Sequence, residues 1–193
     1  MRLFLTLSLL AFFTSCGIQS IPTQKIVVEA TVSELLNVYK RRADLIPNLV
    51  NVVKGYASDE KDTLEAVVSA RASATQTKID PSNLSQEQMK SMMANQGALT
   101  QALGKLMVVV ERYPDLKANE NFRDLQVQLE GTENRITQAR RKHIGAIKRF
   151  NNLVTVFPTS IMNSLMFNYE PMPQWSLGES EREAVKVAPT VKF

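Results

Sequence analysis

The acid–base chemistry open to this sequence rests on a few carboxylates and arginines. Glu130 and Glu133 are three residues apart, which places both on one face of a helix, and paired carboxylates can act as general acid and general base. In long helices, such groups more often form ion pairs that hold neighbouring helices in register. We therefore interpret them as structural or partner-binding groups, without intrinsic catalysis. The same interpretation covers Arg41, Arg42, Asp44, Arg71, Asn134 and Arg140.

The sequence contains few side chains that could bind a metal ion. His143 is the only histidine and Cys16 the only cysteine, so zinc lacks a ligand set. Arg140 stands three residues before His143, where a di-iron bundle protein would carry a glutamate. We expect an inward-facing His143 and no cofactor or metal. Four methionines at helical spacing are interpreted as core fillers, with a methionine-based soft-metal site as an alternative; they are Met89, Met92, Met93 and Met107.

Two short basic clusters raise the question of nucleic-acid binding. They lie at residues 40–42 and 140–142, each has acidic residues nearby, and the net charge of the chain is +4. Nucleic-acid binding usually requires basic residues gathered on one face with motif support, so solvated helix faces are the simpler interpretation. The sequence also lacks a Gly-x-Ser-x-Gly turn and a glycine-rich phosphate loop. We expect neither a nucleic-acid partner nor a small-molecule substrate.

The first sixteen residues, MRLFLTLSLLAFFTSC, have the form of an export signal. Arg2 precedes an apolar stretch at residues 3–13, which is shorter than the ~20 residues that a spanning helix needs. Small residues then lead to Cys16 as in a bacterial lipobox, and lipidation would account for a lone cysteine in an exported protein. We predict a signal peptide at residues 1–15 and a lipidated tether at residues 16–24, with an uncleaved N-terminal anchor as the alternative.

Apolar residues recur at alternating spacings of three and four along three segments, which predicts three long helices that each bury one stripe. We therefore predict an all-α fold: a long antiparallel helical bundle of three long helices plus a short C-terminal helix, over residues 25–167. The first stripe is Val28, Val32, Leu35, Tyr39, Arg42, Ile46, Leu49, Val53 and Tyr56; the second is Met89, Met92, Gln96, Leu99, Leu103, Leu106, Val110 and Tyr113; the third is Phe122, Leu125, Leu129, Thr132, Ile136, Ala139, His143, Ala146, Phe150, Leu153 and Phe157.

Capping residues indicate where these helices begin and end. Ser85 with Gln88 three residues later has the form of a capping box that opens the second helix. Pro114 should end that helix near Tyr113, because proline disfavours α geometry in the residue before it. Asn119 is a suitable N-cap for the third helix, and Pro158 can open a short fourth helix over residues 159–167.

Pro47 lies inside the first helical pattern, where its missing N–H costs ~3 kcal/mol. The apolar stripe nevertheless keeps its phase on both sides, so we predict one kinked helix. The freed carbonyl of Ala43 then needs a donor, and Arg41 and Arg42 are the nearest candidates. Asp44 is expected to pair with an arginine; in the alternative interpretation it caps a new helix.

The apolar spacing of this first helix shifts beyond Gly55. We predict that the helix continues to about residue 74, which would make it about 70 Å long at ~1.5 Å per residue. A new helix that starts at Ser58 or Asp59 is the alternative.

Several segments, in order along the chain, resemble the signature segments of the LemA family. They are RRADLIPNLV (residues 41–50), KGYA (54–57), YPDLKAN (113–119), NFRDLQ (121–126), GTEN (131–134) and the Phe157-Pro158 pair. The resemblance implies a bundle of long helices that is anchored to a membrane and has no established enzymatic activity. The lipobox-like start differs from the family's usual transmembrane anchor, and His143-Ile144 stands where Tyr-Asn is commoner.

The C-terminal residues 168–193 are expected to form an extended tail. Val185, Val187, Pro189, Val191 and Phe193 recur at period two, with Lys186 and Lys192 between them, which is typical of an extended segment with one apolar face. Such a tail could fold back over a groove of the bundle or bind a partner domain as an added strand.

Taken together, the sequence predicts a lipid-anchored interaction module or scaffold of the bacterial envelope. Its partner is an unidentified envelope protein, and it faces the periplasm from the outer membrane if the cell has two membranes. The alternatives are an envelope enzyme that uses carboxylates in a groove and the methionine-based metal binder.

Overall fold

The computed structural model of the protein describes residues 19–76 and 79–174. Within them the all-α class is confirmed, with no β-strand between residues 19–76 or 79–174. The helices are α1 (Ser20–Tyr56), α2 (Lys61–Gln76), α3 (Gln86–Val110), α4 (Pro114–Ala118), α5 (Glu120–Thr155) and α6 (Thr159–Met162), and α6 continues as a π-helical turn (Asn163–Phe167).

The two longest helices, α1 and α5, run antiparallel along their whole length. The Gln24 side chain donates to the Ala146 carbonyl at 3.1 Å, and at the opposite end the Asn119 side chain donates to the Tyr56 hydroxyl at 3.0 Å. The 37 residues of α1 make this pair about 55 Å long at ~1.5 Å per residue. We call the end at which α1 begins the proximal end and the opposite end the distal end.

Helices α2 and α3 pack only against the distal part of the α1–α5 pair. The polypeptide reverses after α1, so that α2 runs back along it, and α3 runs antiparallel to α2. Two contacts show this second reversal: Asn95 donates to the Ser73 carbonyl at 3.3 Å, and Arg112 pairs with Glu60 at 2.8 Å. The bundle therefore has four helices in its distal half and two at its proximal end.

The predicted apolar stripes are confirmed over most of their length, because nearly all their residues are buried. Four stripe residues are only partly buried, namely Leu103, Tyr113, Leu129 and Leu153. Two stripe residues are wrong: Tyr56 is 44% exposed and Phe157 is 75% exposed. Tyr56 is the last residue of α1 and Phe157 lies two residues beyond α5, and no further helix turn in the described part of the chain covers them.

The prediction of one helix running to residue 74 is wrong. Helix α1 ends at Tyr56, the N–H of Glu60 donates to the Ala57 carbonyl, and α2 begins at Lys61. Leu64 and Val67 of α2 are buried against α1 and α3, which a straight helix could not achieve because nothing would lie beside them. The alternative, a new helix near Ser58 or Asp59, is close to the observed start.

The predicted caps are largely confirmed. Ser85 and Gln88 form both hydrogen bonds of the capping box, and Asn119 accepts from the N–H of Phe122 at 3.0 Å. The second long helix ends at Val110 rather than Tyr113, and Pro114 occupies the first turn of the short helix α4. This is the position at which proline loses no helical hydrogen bond.

The tether assignment also needs correction where the structure describes it. Helix α1 begins at Ser20, inside the predicted tether of residues 16–24, and Ile21 is fully buried against Phe150 and Val154. Residues 20–24 therefore belong to the helix. The predicted signal peptide, Cys16 and the tail beyond residue 174, with Phe193, lie outside the described residues.

Candidate functional site

Arg42 is the centre of a polar cluster between three helices. Its side chain projects from α1 and is 2% exposed. The Nη1 atom donates to Glu133 Oε2 of α5 at 2.8 Å and to Thr100 Oγ1 of α3 at 3.1 Å. The Nη2 atom donates to both the side-chain and the backbone oxygen of Gln96. One guanidinium thus joins three helices, and we call these four residues the Arg42 cluster.

The planar shape of the guanidinium suits this position, because its donors point in several fixed directions at once. Its carbon also lies 5.7 Å from the centre of the Tyr39 ring, within the range of a cation–π contact. Glu133 remains about half exposed, so water still reaches the carboxylate while the arginine is buried. The interpretation of Arg42 and Glu133 as an ion pair across the bundle is confirmed.

A second arginine supplies the hydrogen-bond donor that the Ala43 carbonyl lacks because of Pro47. The helix continues through Pro47 as predicted, but the donor to the Ala43 carbonyl is Arg71 of α2, whose Nε lies 2.8 Å from that oxygen. The expectation that Arg41 or Arg42 would supply this donor is wrong. Arg41 is exposed and Arg42 faces the other helices. The chain reversal after Tyr56 is what brings Arg71 alongside Ala43.

The remaining candidate residues lie at the edges of the cluster. Asp44 pairs with Lys40 at 2.7 Å on the solvent side of α1, not with an arginine as expected. The Nε of Arg140 donates to the Tyr39 hydroxyl at 3.3 Å. Asn134 is exposed on α5, and Pro47 is exposed on the outer face of α1.

His143 is an inward-facing core residue as predicted, 1% exposed, with Nδ1 3.0 Å from the Thr31 hydroxyl. Thr31 uses its own proton to donate to the Val28 carbonyl at 2.7 Å. The hydroxyl must therefore accept from His143, which assigns the proton of the neutral ring to Nδ1. Burial lowers the pKa of His143 below its ordinary value, because a charged imidazolium would be poorly solvated here.

Glu130 and Glu133 line one shallow groove of about 210 Å³ next to Arg42. Glu133 is held by Arg42, and Glu130 accepts from Gln126 at 3.1 Å. The groove has an apolar floor formed by Leu103, Met107 and Leu129. The two carboxylates therefore serve as hydrogen-bond acceptors for the protein's own side chains.

The methionines behave as core fillers. Met89 and Met92 are buried among Leu35, Tyr39 and Ile136, while Met93 and Met107 are partly buried at the margins of two clusters. In residues 19–76 and 79–174, no three His, Cys, Asp or Glu side chains come close enough to hold a metal ion together. No helix in that part of the chain is long and apolar enough to cross a membrane.

Sequence reasoning missed two asparagines that organise the proximal end. Asn151 exchanges two hydrogen bonds with the backbone of Met172, at 2.8 and 2.9 Å. Asn163 exchanges two with the backbone of Tyr169, at 2.9 and 3.0 Å. We call this arrangement the asparagine clamp. Its only sequence signal is the position of two asparagines in a segment without charged residues.

The fold and the Arg42 cluster define an all-helical protein whose central polar groups hold its own helices together. The chain belongs to the LemA family: the model of that family matches residues 31–193. The sequence resemblance to this family is thereby confirmed.

Three curated relatives are magnetosome proteins. The chain is 24% identical over 171 residues to the magnetosome protein MamQ of Magnetospirillum gryphiswaldense, covering 79% of this chain and 63% of the relative. It is 30% identical over 69 residues to the magnetosome proteins MamQ 1 and MamQ 2 of Paramagnetospirillum magneticum, covering 36% of this chain and 25% of each relative. The family and these relatives indicate a membrane-associated bacterial protein with a helical fold.

Proposed function

We propose that this protein is a lipid-anchored interaction module of the bacterial cell envelope, without catalysis of its own. The observation that carries the proposal is the Arg42 cluster, in which the groups best suited to chemistry bind one another. The Nη1 and Nη2 atoms of Arg42 donate to Glu133, Gln96 and Thr100, whereas its Nε is buried without a hydrogen-bond partner. A reactive carboxylate needs an orientation toward substrate, whereas Glu133 is oriented toward its own bundle.

The anchor in this proposal is a lipid on Cys16. The apolar stretch of residues 3–13 and the small residues before the lone cysteine support it. We expect mass spectrometry of the purified full chain to find an N-terminal lipid on Cys16. Cys16→Ser should remove that lipid, with Ser15→Ala as the control that keeps the cysteine. If the wild-type chain carries no lipid and Cys16→Ser still fractionates fully with membranes, the lipid anchor is wrong and the N-terminal segment itself is the anchor.

The partner in this proposal is another envelope protein, and in a cell with two membranes the site of action is the periplasmic face of the outer membrane. Crosslinking in the native envelope, followed by mass spectrometry, should capture the same partner with the wild-type chain and with Glu133→Gln. An unlipidated Cys16→Ser chain should lose that partner, because it no longer resides at the same surface.

The alternative function is an envelope enzyme that uses Glu130 and Glu133 in their groove. Complementation of a deletion strain separates the two functions. Glu133→Gln keeps a hydrogen-bond acceptor for Arg42 but cannot act as an acid or base. An interaction module should therefore complement as well as the wild type at equal protein level. Full loss of complementation by a folded, correctly located Glu133→Gln protein would instead support the enzyme.

A further inference from the structure

The proximal end of the bundle exposes a group of large apolar side chains. Phe157 and Leu165 are each 75% exposed, and both follow the end of α5. Phe157 lies in the turn between α5 and α6, and Ile161 and Leu165 follow on α6 and its π-helical continuation. An exposed patch of this kind marks a contact surface. We call it the apolar tip, and it comprises Val156, Phe157, Ile161, Leu165 and Met166.

The apolar tip is held in place by buried polar contacts. The asparagine clamp fixes the segment: Asn163, the first residue of the π-helical turn, is buried and binds the Tyr169 backbone, and Asn151 of α5 binds the Met172 backbone. The Phe167 and Tyr169 rings stack with their centres 5.7 Å apart. The apolar side chains therefore face solvent from an ordered segment, and the asparagines that hold this segment form their hydrogen bonds within the protein.

Charge is distributed unevenly between the two ends. No residue from 151 to 169 is charged, and neither is any from 17 to 24. The first cations behind the tip on α5 are Lys148 and Arg149, both exposed. The distal end, residues 57–65 and 111–124, instead carries eight acidic against four basic side chains. An anionic surface would attract the cations behind the tip and repel the distal end.

The start of α1 identifies what the apolar tip meets. Ile21 packs against Phe150 and Val154, so Ser20 lies at the proximal end beside the tip. Cys16 precedes Ser20 by only four residues, which span at most about 14 Å even when fully extended. If Cys16 carries the lipid, the membrane lies within that distance of Ser20. If residues 3–13 act as the anchor instead, the seven residues from Phe13 to Ser20 span at most about 25 Å, so the membrane lies near the tip in both cases.

We propose that the apolar tip is a second membrane contact, inserted into the interfacial region of the lipid bilayer. Apolar side chains at an interface reach about 5–10 Å into the headgroup and acyl boundary. Arg149 lies six residues before Thr155, or about 9 Å back along the helix, which sets Lys148 and Arg149 at the headgroups. The bundle then stands on the membrane with its acidic distal end about 55 Å away. This inference rests on the anchoring part of the proposed function.

The test uses the full chain in vesicles of equal parts phosphatidylcholine and phosphatidylglycerol. A polarity-sensitive fluorophore is attached to Leu165→Cys, and separately to Phe157→Cys, while Cys16 is occupied by its lipid. The control is Val108→Cys, because Val108 is 71% exposed on α3 near the distal end. Brominated acyl chains quench a fluorophore only where it touches the hydrocarbon. We expect loss of most of the emission at positions 157 and 165 and no loss at position 108.

Each other outcome has a separate meaning. Protein that floats with the vesicles but is not quenched at either tip position overturns the inference and leaves the anchor standing. Emission that shifts with protein concentration, without quenching, would assign the tip to a second copy of the chain or to another protein. Lack of flotation would contradict the proposed anchor. In that case quenching by added vesicles would still support a lipid-binding tip, and its absence would overturn it.

Discussion

Removal of Arg71 should cost more stability when Pro47 is present than when Pro47 is replaced by alanine. The Arg71 Nε donates to the buried Ala43 carbonyl at 2.8 Å, and that carbonyl lacks its helical donor because Pro47 has no N–H. A buried carbonyl without a partner costs ~1–3 kcal/mol. Arg71 is only partly buried, so water can replace part of its contribution, and we expect Arg71→Met to lower the free energy of unfolding by about 1.5 kcal/mol.

Pro47→Ala restores a backbone N–H four residues after Ala43. Because Pro47 is exposed, its replacement removes little packing, and the variant should be neutral or more stable. In that background the Ala43 carbonyl already has a helical donor, so Arg71→Met should cost about 1 kcal/mol less than it does alone. Interaction energies of this size are typical of residues that share a partner.

The measurement is a double-mutant cycle from urea unfolding of the full chain in mild detergent, followed by far-UV circular dichroism. In thermal unfolding, each 1 kcal/mol should shift Tm by about 2–4 °C for a chain of this size. The control pair is Arg41→Met with Pro47→Ala, because Arg41 is exposed and does not reach the carbonyl. Equal costs of Arg71→Met in both backgrounds would refute the assignment of Arg71 as the replacement donor.

Three further predictions concern the bundle and its tail. Glu133→Gln should lower the free energy of unfolding by about 1 kcal/mol without loss of fold or location, because Arg42 keeps its contacts to α3; an unfolded variant in circular dichroism would contradict this. For His143, whose pKa burial lowers, the unfolded chain takes up a proton first as pH falls. The free energy of unfolding should therefore be at its full value above pH ~6.5 and decline below that pH. The urea midpoint of His143→Gln should not decline in this way. A His143→Gln variant with the same pH profile as the wild type would show that His143 does not cause the decline. Deletion of residues 191–193, which removes Phe193, should cost about 1–3 kcal/mol if the tail is docked. If the tail is a ligand, melting should stay unchanged while a partner is lost in pull-down, and no change in either would contradict both forms.

The sequence alone determined the features that depend on local periodicity and on capping. A stripe such as Val28, Val32, Leu35 and Tyr39 is buried wherever a helix has a neighbour, so the pattern identifies the buried face without knowledge of that neighbour. The Ser85 capping box and the Asn119 cap are contacts within four residues. The continuity of α1 through Pro47 also followed from the phase of its stripe.

Only the tertiary structure decided which groups meet across the sequence. The chain reverses after Tyr56 because Leu64 and Val67 are buried by folding back, and a gradual shift in apolar spacing does not distinguish a reversal from a drifting helix face. That reversal selects Arg71 rather than Arg41 or Arg42 as the donor to the Ala43 carbonyl. Residue 71 is 28 positions from residue 43, and no local pattern specifies a contact at that separation.

At the proximal end, too, some features are determined by the sequence and others only by the tertiary structure. Its lack of charge is visible in the sequence, whereas the exposure of Phe157 and Leu165 depends on how the chain turns after α5. Phe157 keeps the phase of the α5 stripe, so periodicity predicts burial, but α1 begins at Ser20 and Ile21 already covers Phe150 and Val154. Past that level there is no described helix turn to cover Phe157. A periodic pattern determines which face of a helix is apolar, and the lengths and packing of its neighbours decide how far along the helix that face is buried.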